Sequence, residues 1–129
     1  MPNFIPTVVV SIIVFDQISK ALAVKFLPTV CNLGFAFGVF PFSNLLSTVL
    51  IIVILVSIAI LFLNQKGQSF ALALILGGGF SNLVDRLIRG CVVDFVKWPV
   101  FANLPAFNLA DAAITVGVVL LILNIIKRR

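Results

Sequence analysis

Four long apolar runs alternate with short polar clusters along this chain. Phe42 to Leu63 carries no charged residue and is long enough, at a helical rise of about 1.5 Å per residue, to cross a hydrocarbon core. Gly67 to Val84 is a second such run, ended by Asp85 and Arg86. Ala112 to Ile126 is a third, and it reaches spanning length if its helix opens near Asn108 with Asp111 just inside. The run from Phe4 to Val24 spans only if Asp16 and Lys20 face protein rather than lipid, because an ionisable group at membrane depth is costly. No Lys or Arg precedes that run, so a retained helix is expected rather than a cleaved leader. The pattern predicts an all-α membrane protein, four transmembrane helices in up-down order, with residues 1–129 as one domain.

Two stretches between the runs read differently. Leu27 to Phe42 holds Pro28, Gly34, Gly38 and Pro41, with Phe35 and Phe37 alternating, which predicts a strand or bent ribbon at the membrane surface. Gly90 to Pro105 opens with a helix-stopping Gly, passes through β-branched Val92 and Val93 to Asp94, and carries Trp98, Pro99 and Phe101. Irregular backbone at that depth must be buried against protein or line a wet space. The two stretches are expected to form a small β-like cradle over the polar helix ends.

Composition sharpens this picture. At 62% hydrophobic and 10% charged residues, with a mean hydropathy of +1.29, the chain lies outside the range of soluble globular domains. All 4 acidic residues are Asp, and up-down order gathers Asp16, Asp85, Asp94 and Asp111 at one membrane face with Lys20, Asn32, Asn82, Arg86 and Asn108. The other face receives the Asn64 to Ser69 turn and the tail Lys127, Arg128, Arg129. With Lys20 and Arg86 set aside as partners of Asp16 and Asp85, the basic residues number four on this face against three on the polar one, which makes it the cytoplasmic one. The net charge of +5 fits anchoring to anionic membrane lipids. No basic patch interleaved with exposed aromatics points to nucleic acid.

The polar clusters carry the candidate chemistry. Asp16 and Lys20 stand at i and i+4 in the order that favours a helical ion pair, which a buried charged turn would need. Asn82, Asp85, Arg86 and Arg89 repeat at three and four residues, so Asp85 is expected to pair with Arg89, while a forked guanidinium facing a cavity would suit a substrate carbonyl. Gly77, Gly78 and Gly79 weaken a helix interior and call for compensation, either close helix packing or a groove where a ligand meets backbone. Two Cys, Cys31 and Cys91, neither in a CxxC arrangement, do not make a metal site, and a disulfide between them stays open. The absence of His and Glu excludes a histidine-based triad and HExxH zinc chemistry. No metal or other cofactor is expected.

Asp94 and Asp111 are the acids least easily explained as structure. A first-turn role accounts for Asp111 alone. Two carboxylates brought together in a partly desolvated site share a proton, so that one serves as base on water while the other polarises a carbonyl. The competing class is a small proton- or cation-coupled transporter subunit using Asp16 or Asp111, but such a protein wants its acids near mid-membrane, and here they collect at one end.

The segments Asp16-Gln17-Ile18-Ser19-Lys20, Asn32-Leu33-Gly34-Phe35-Ala36-Phe37, Gly79-Phe80-Ser81-Asn82-Leu83-Val84-Asp85-Arg86, Val92-Val93-Asp94-Phe95 and Phe107-Asn108-Leu109-Ala110-Asp111 resemble, in order, the motifs of the lipoprotein signal peptidase (signal peptidase II) family. The resemblance implies an aspartic endopeptidase, multi-pass in the bacterial inner membrane, with its active site near the outer face. Its partner would be a diacylglyceryl-modified prolipoprotein, cleaved on the N-terminal side of the lipid-modified Cys. The resemblance makes Asp94 and Asp111 the catalytic dyad, and Asn32, Asn82, Arg86 and Asn108 substrate-binding or dyad-supporting groups. It leaves Asp16, Lys20 and Asp85 without a settled role. Only eleven residues separate Lys20 from Asn32, so a trimmed outer cradle is expected.

Overall fold

In lipid a backbone must satisfy its own hydrogen bonds, and each apolar run does so as a helix: α1 (Phe4–Phe26), α2 (Asn44–Phe62), α3 (Ser69–Arg89) and α4 (Leu109–Lys127). All four are long and apolar enough to cross a membrane. The structure, a computed structural model, describes residues 4–34, 43–62, 64–65, 67–100 and 104–129. Of the residues singled out in the sequence, Phe35, Ala36, Phe37, Gly38, Pro41, Phe42, Leu63 and Phe101 lie outside the described residues.

The third run ends later than its charges suggested. α3 continues past Val84 to Arg89, because Asn82, Asp85 and Arg86 turn into the protein instead of ending the helix. Gly90, left-handed at φ 76°, then closes it as a C-cap. Asp16 and Lys20 are likewise buried within α1, the condition on which that run could span.

α3 is the axis of the bundle: 67% of its spanning window is buried, against 17% in each of the other three helices. The three consecutive glycines explain how. A Cβ on Gly77 would lie 2.9 Å from Cβ of Ile12 on α1, and one on Gly78 would lie 2.5 Å from the backbone oxygen of Ala110 on α4. One on Gly79 would run into the Leu55 side chain of α2. The glycines therefore seat three neighbours at close range, and of the two readings left open by the sequence, close packing is the one these contacts support. Gly117 repeats the device from α4, its missing Cβ leaving room for Ile75 and the backbone oxygen of Ala71. The apolar core follows the same axis, through Leu55, Ala71, Ile75, Leu76 and Leu121. Among the described elements, α2 touches only α3.

At the end of the bundle where α3 finishes and α4 starts, β1 (Val30–Asn32) pairs antiparallel with β2 (Val92–Asp94), Val30 opposite Asp94 and Asn32 opposite Val92. This is the small cradle expected from the two irregular stretches. A disulfide joins Cys31 to Cys91, with 5.4 Å between their Cα atoms. After β2 the chain folds back on itself. Val96 and Phe107 exchange backbone hydrogen bonds of 2.9 Å each, and the Trp98 ring lies over Phe107 at 5.2 Å. That return delivers Asn108 and the head of α4 beside Asp94.

Candidate active site

Lys20 organises the buried charge. Its ammonium lies 2.6 Å from an Asp16 oxygen and 3.0 Å from an Asp85 oxygen, and it donates to Oδ1 of Asn82 at 3.0 Å. An ammonium has three protons, and each has an acceptor here. The expected i, i+4 pair with Asp16 is present, and a cross-helix bridge from α1 to α3 is added to it. Asp85 meets Arg89 at 2.6 Å, as its spacing suggested. Its other oxygen also accepts the Val93 N–H at 3.0 Å, which ties β2 to α3. Asp16 reaches further still: Oδ1 accepts the Ala110 N–H at 2.9 Å, and Oδ2 accepts the Ser81 hydroxyl at 2.5 Å. Ala110 lies in the first turn of α4, where backbone N–H groups lack helical partners. Asp16 thus fixes the start of one helix from the middle of another.

Around Asp94 and Asp111 the donors are amides. Asn32 Nδ2 donates to Asp94 Oδ2 at 3.0 Å, and Asn108 Nδ2 donates to Asp94 Oδ1 at 2.9 Å. Asn82 Nδ2 donates to Asp111 Oδ1 at 3.0 Å, and Asn82 Oδ1 accepts from Asn108 Nδ2 at 3.1 Å. The two carboxylates, one on a strand and one on a helix, are therefore joined through the facing side chains of Asn82 and Asn108. Asn108 is also the N-cap of α4: its Oδ1 accepts the Asp111 N–H at 2.8 Å, while Asp111 Oδ2 accepts the Asn108 N–H at 3.2 Å. This reciprocal capping box locks the Asp111 side chain in orientation. Asp111 does stand in the first turn, as a bland reading of it held, but Asn108 is the cap.

Arg86 is buried and reaches toward β1. Its Nη2 donates to the backbone oxygen of Gly34 at 2.6 Å, so it holds the segment leaving β1, and its charge acts on Asp111, Asp94 and Asp85. Ser47 on α2 holds the same segment through the Leu33 oxygen at 3.1 Å. Sequence reasoning missed Gln17 and Ser81. Gln17 Nε2 donates to Ser81 and to Asp85 Oδ1 at 2.9 Å, while its oxygen accepts from Arg89 at 3.1 Å. A polar amide inside an apolar run was the available signal for Gln17. Among the described residues no group of His, Cys, Asp or Glu is arranged to hold a metal.

Asp94 is 2% exposed and lies outside the spanning helices. Burial first, and the Asp111 charge second, push its carboxyl up to about 7, against the opposing effects of the Asn32 amide, Lys20 and the Asn108 amide. The folded protein therefore holds a proton on Asp94 over a range, from about pH 4 to about 7, in which the unfolded chain has released it. Stability from this group is full below that range and is lost as pH rises through it. The melting temperature in detergent is expected to fall by about 5 °C or more between pH 5 and pH 8, and Asp94→Asn to flatten that slope. An unchanged slope in the variant would show that Asp94 titrates normally.

Three apolar helices around a central one, with a buried carboxylate and amide cluster at one end under a two-stranded cradle, define a multi-pass membrane protein built around a polar site. The family model for "Signal peptidase (SPase) II" matches residues 8–127. The chain belongs to the signal peptidase II family. The lipoprotein signal peptidase of Thermodesulfovibrio yellowstonii is 35% identical over 134 residues, covering 91% of this chain and 90% of that one. Those of Burkholderia mallei (strain SAVP1) and Burkholderia pseudomallei (strain 668) are 56% identical over 66 residues, 50% of this chain. In these Burkholderia relatives the chain spans 40% of their length. A solved bacterial membrane enzyme superposes with a TM-score of 0.83 at 25% identity, covering 97% of this chain and 88% of its own.

Proposed function

We propose that this protein is an aspartic endopeptidase that cleaves the signal peptide from diacylglyceryl-modified prolipoproteins on the N-terminal side of the lipid-modified Cys, with Asp94 and Asp111 activating water. The observation that carries this reading is the convergence of the two carboxylates on the Asn82 and Asn108 amides at the end of the spans. A peptide bond next to a lipid-anchored Cys lies at that depth, where the substrate's signal helix runs beside the enzyme's helices and its acyl chains remain in the leaflet. Asp94, driven up to about 7, suits the member that carries the shared proton. Asp111, held by a helix N-terminus whose dipole favours an anion, suits the base. Water attacks the carbonyl carbon as the base takes its proton and the acid protonates the carbonyl oxygen. Collapse of the tetrahedral intermediate, with a proton to the leaving amine, completes hydrolysis. Asn32, Asn82 and Asn108 keep the carboxylates in place, and Arg86 keeps the backbone after β1 in place.

The site is assigned to the outer face. The Cys31–Cys91 disulfide lies at the same end as Asp94 and Asp111, and disulfides persist in oxidising compartments. The basic tail then faces the cytoplasm, which agrees with its Lys and Arg content.

Purified protein in detergent is expected to cleave a diacylglyceryl-modified prolipoprotein and to leave the unmodified precursor intact. Equal cleavage of both, or of neither, would overturn the assignment.

A further inference from the structure

The Cys31–Cys91 disulfide takes no part in the hydrolysis, yet it stands one residue from a group that touches Asp94. Cys31 is the middle residue of β1 and lies opposite Val93, while Cys91 immediately precedes β2. Asn32, next in β1, donates to Asp94 Oδ2 at 3.0 Å and has its own oxygen fixed by the Gly34 N–H at 2.8 Å.

The two strands are held very differently. β2 is buried throughout and bound to α3 through the Val93 N–H and Asp85. In β1, Val30 and Cys31 are exposed. A ladder of three residues is not stable by itself. Beyond the ladder, the segment is attached at its far end, where Ser47 and Arg86 bind the Leu33 and Gly34 carbonyls. At its near end, the disulfide is the covalent fastening. Without it only the three-residue ladder and the short link from α1 hold this end of the strand, and the Asn32 side chain no longer has a fixed approach to Asp94.

We propose that the Cys31–Cys91 disulfide is a redox-sensitive positioning element for Asp94: it holds β1 so that Asn32 donates to the Asp94 carboxyl, and reduction by a dithiol withdraws that donor. The proposal rests on the reading of Asp94 as a member of the dyad. In the exchange, a thiolate of the dithiol attacks the sulfur of exposed Cys31, and Cys91 leaves as a thiolate and takes up a proton. The second thiol of the dithiol then resolves the mixed disulfide. The S–S bond ends on the dithiol, which is oxidised by two electrons, and Cys31 and Cys91 end as thiols.

Among the described residues, the groups that act on Asp94 are Asn32 from β1, Asn108 and Asp111 at the head of α4, Lys20 from α1 and Arg86 from α3. Of these, the Asn32 amide lowers the Asp94 pKa, so its departure raises it. The test is the pH profile of kcat/KM for oxidised and dithiothreitol-reduced protein, with the Asp94 carbonyl band followed by infrared titration in the same samples. Reduction is expected to move the limb and the band that report Asp94 upward by about one pH unit. Oxidised Asn32→Ala should show the same displacement and no further one on reduction. Cys31→Ser/Cys91→Ser should match the reduced profile and ignore dithiothreitol. An Asp94 titration unmoved by reduction, even with a lower melting temperature, would overturn the proposal, as would a further shift in reduced Asn32→Ala. The infrared titration needs no turnover, so absent cleavage counts against the endopeptidase reading and an unmoved band against this one.

Discussion

Asp94→Asn and Asp111→Asn are each expected to lower turnover by about a thousandfold or more while lipid-modified substrate still binds. Either change removes one of two groups that must exchange a proton in every cycle, and the remaining carboxylate cannot be acid and base at once. The substitutions keep side-chain volume, and the amide surroundings that hold each residue stay in place. Each Asn also keeps one oxygen that can accept from Asn32, Asn108 or Asn82. Folding should thus survive better than activity. Turnover and melting temperature measured in one detergent separate the two effects. Turnover within tenfold of the parent in either variant would remove that residue from the dyad.

Lys20→Met should do the reverse, striking stability first. It leaves Asp16 and Asp85, both 0% exposed, without the ammonium that lies within 3.0 Å of each. Breaking a buried charge cluster by removing one partner typically costs about 3–5 kcal/mol, because the remaining charge stays desolvated. Arg89→Ala, whose side chain is 33% exposed, should cost about 1 kcal/mol or less, since solvent takes over its role toward Asp85. Adding Asp85→Asn to Lys20→Met should recover part of the loss by removing an orphaned charge. A melting temperature for Lys20→Met equal to that of Arg89→Ala would show that Lys20 does not hold the cluster together.

Sequence pattern revealed the four spans because lipid imposes one rule on every residue of a run: no unpaired backbone and few charges. The end of α3 was marked correctly by the helix-stopping Gly90, but the charges alone placed it too early, for the same reason. Asp85 and Arg86 look like a boundary in a one-dimensional reading, yet in the bundle they face α1 and the segment leaving β1, and the helix runs on to Arg89. The β pairing was foreseen as a ribbon and a β-branched run, but its register depends on contacts sixty residues apart. Within the site, the pairs Asp16–Lys20 and Asp85–Arg89 were visible because they are local in sequence. Contacts that cross helices were not. Lys20 to Asp85, Asp16 to Ala110 and Gln17 to Ser81 join residues on different spans, and helical spacing alone says nothing about which faces meet. The motifs that resemble signal peptidase II bring together residues that composition and periodicity leave apart.

Three glycines in a row, each against a different neighbour, also limit how this chain can change length. One residue inserted among Gly77, Gly78 and Gly79 would rotate everything after it by about 100°. Either Ile12, Ala110 and Leu55 would keep their places while Asn82 and Asp85 swung away from Lys20, or the polar end would hold and the helix seats would be lost. α3 behaves as a key cut to one phase, so natural variation in length has to fall in the loops and in the cradle, where no rotation is transmitted.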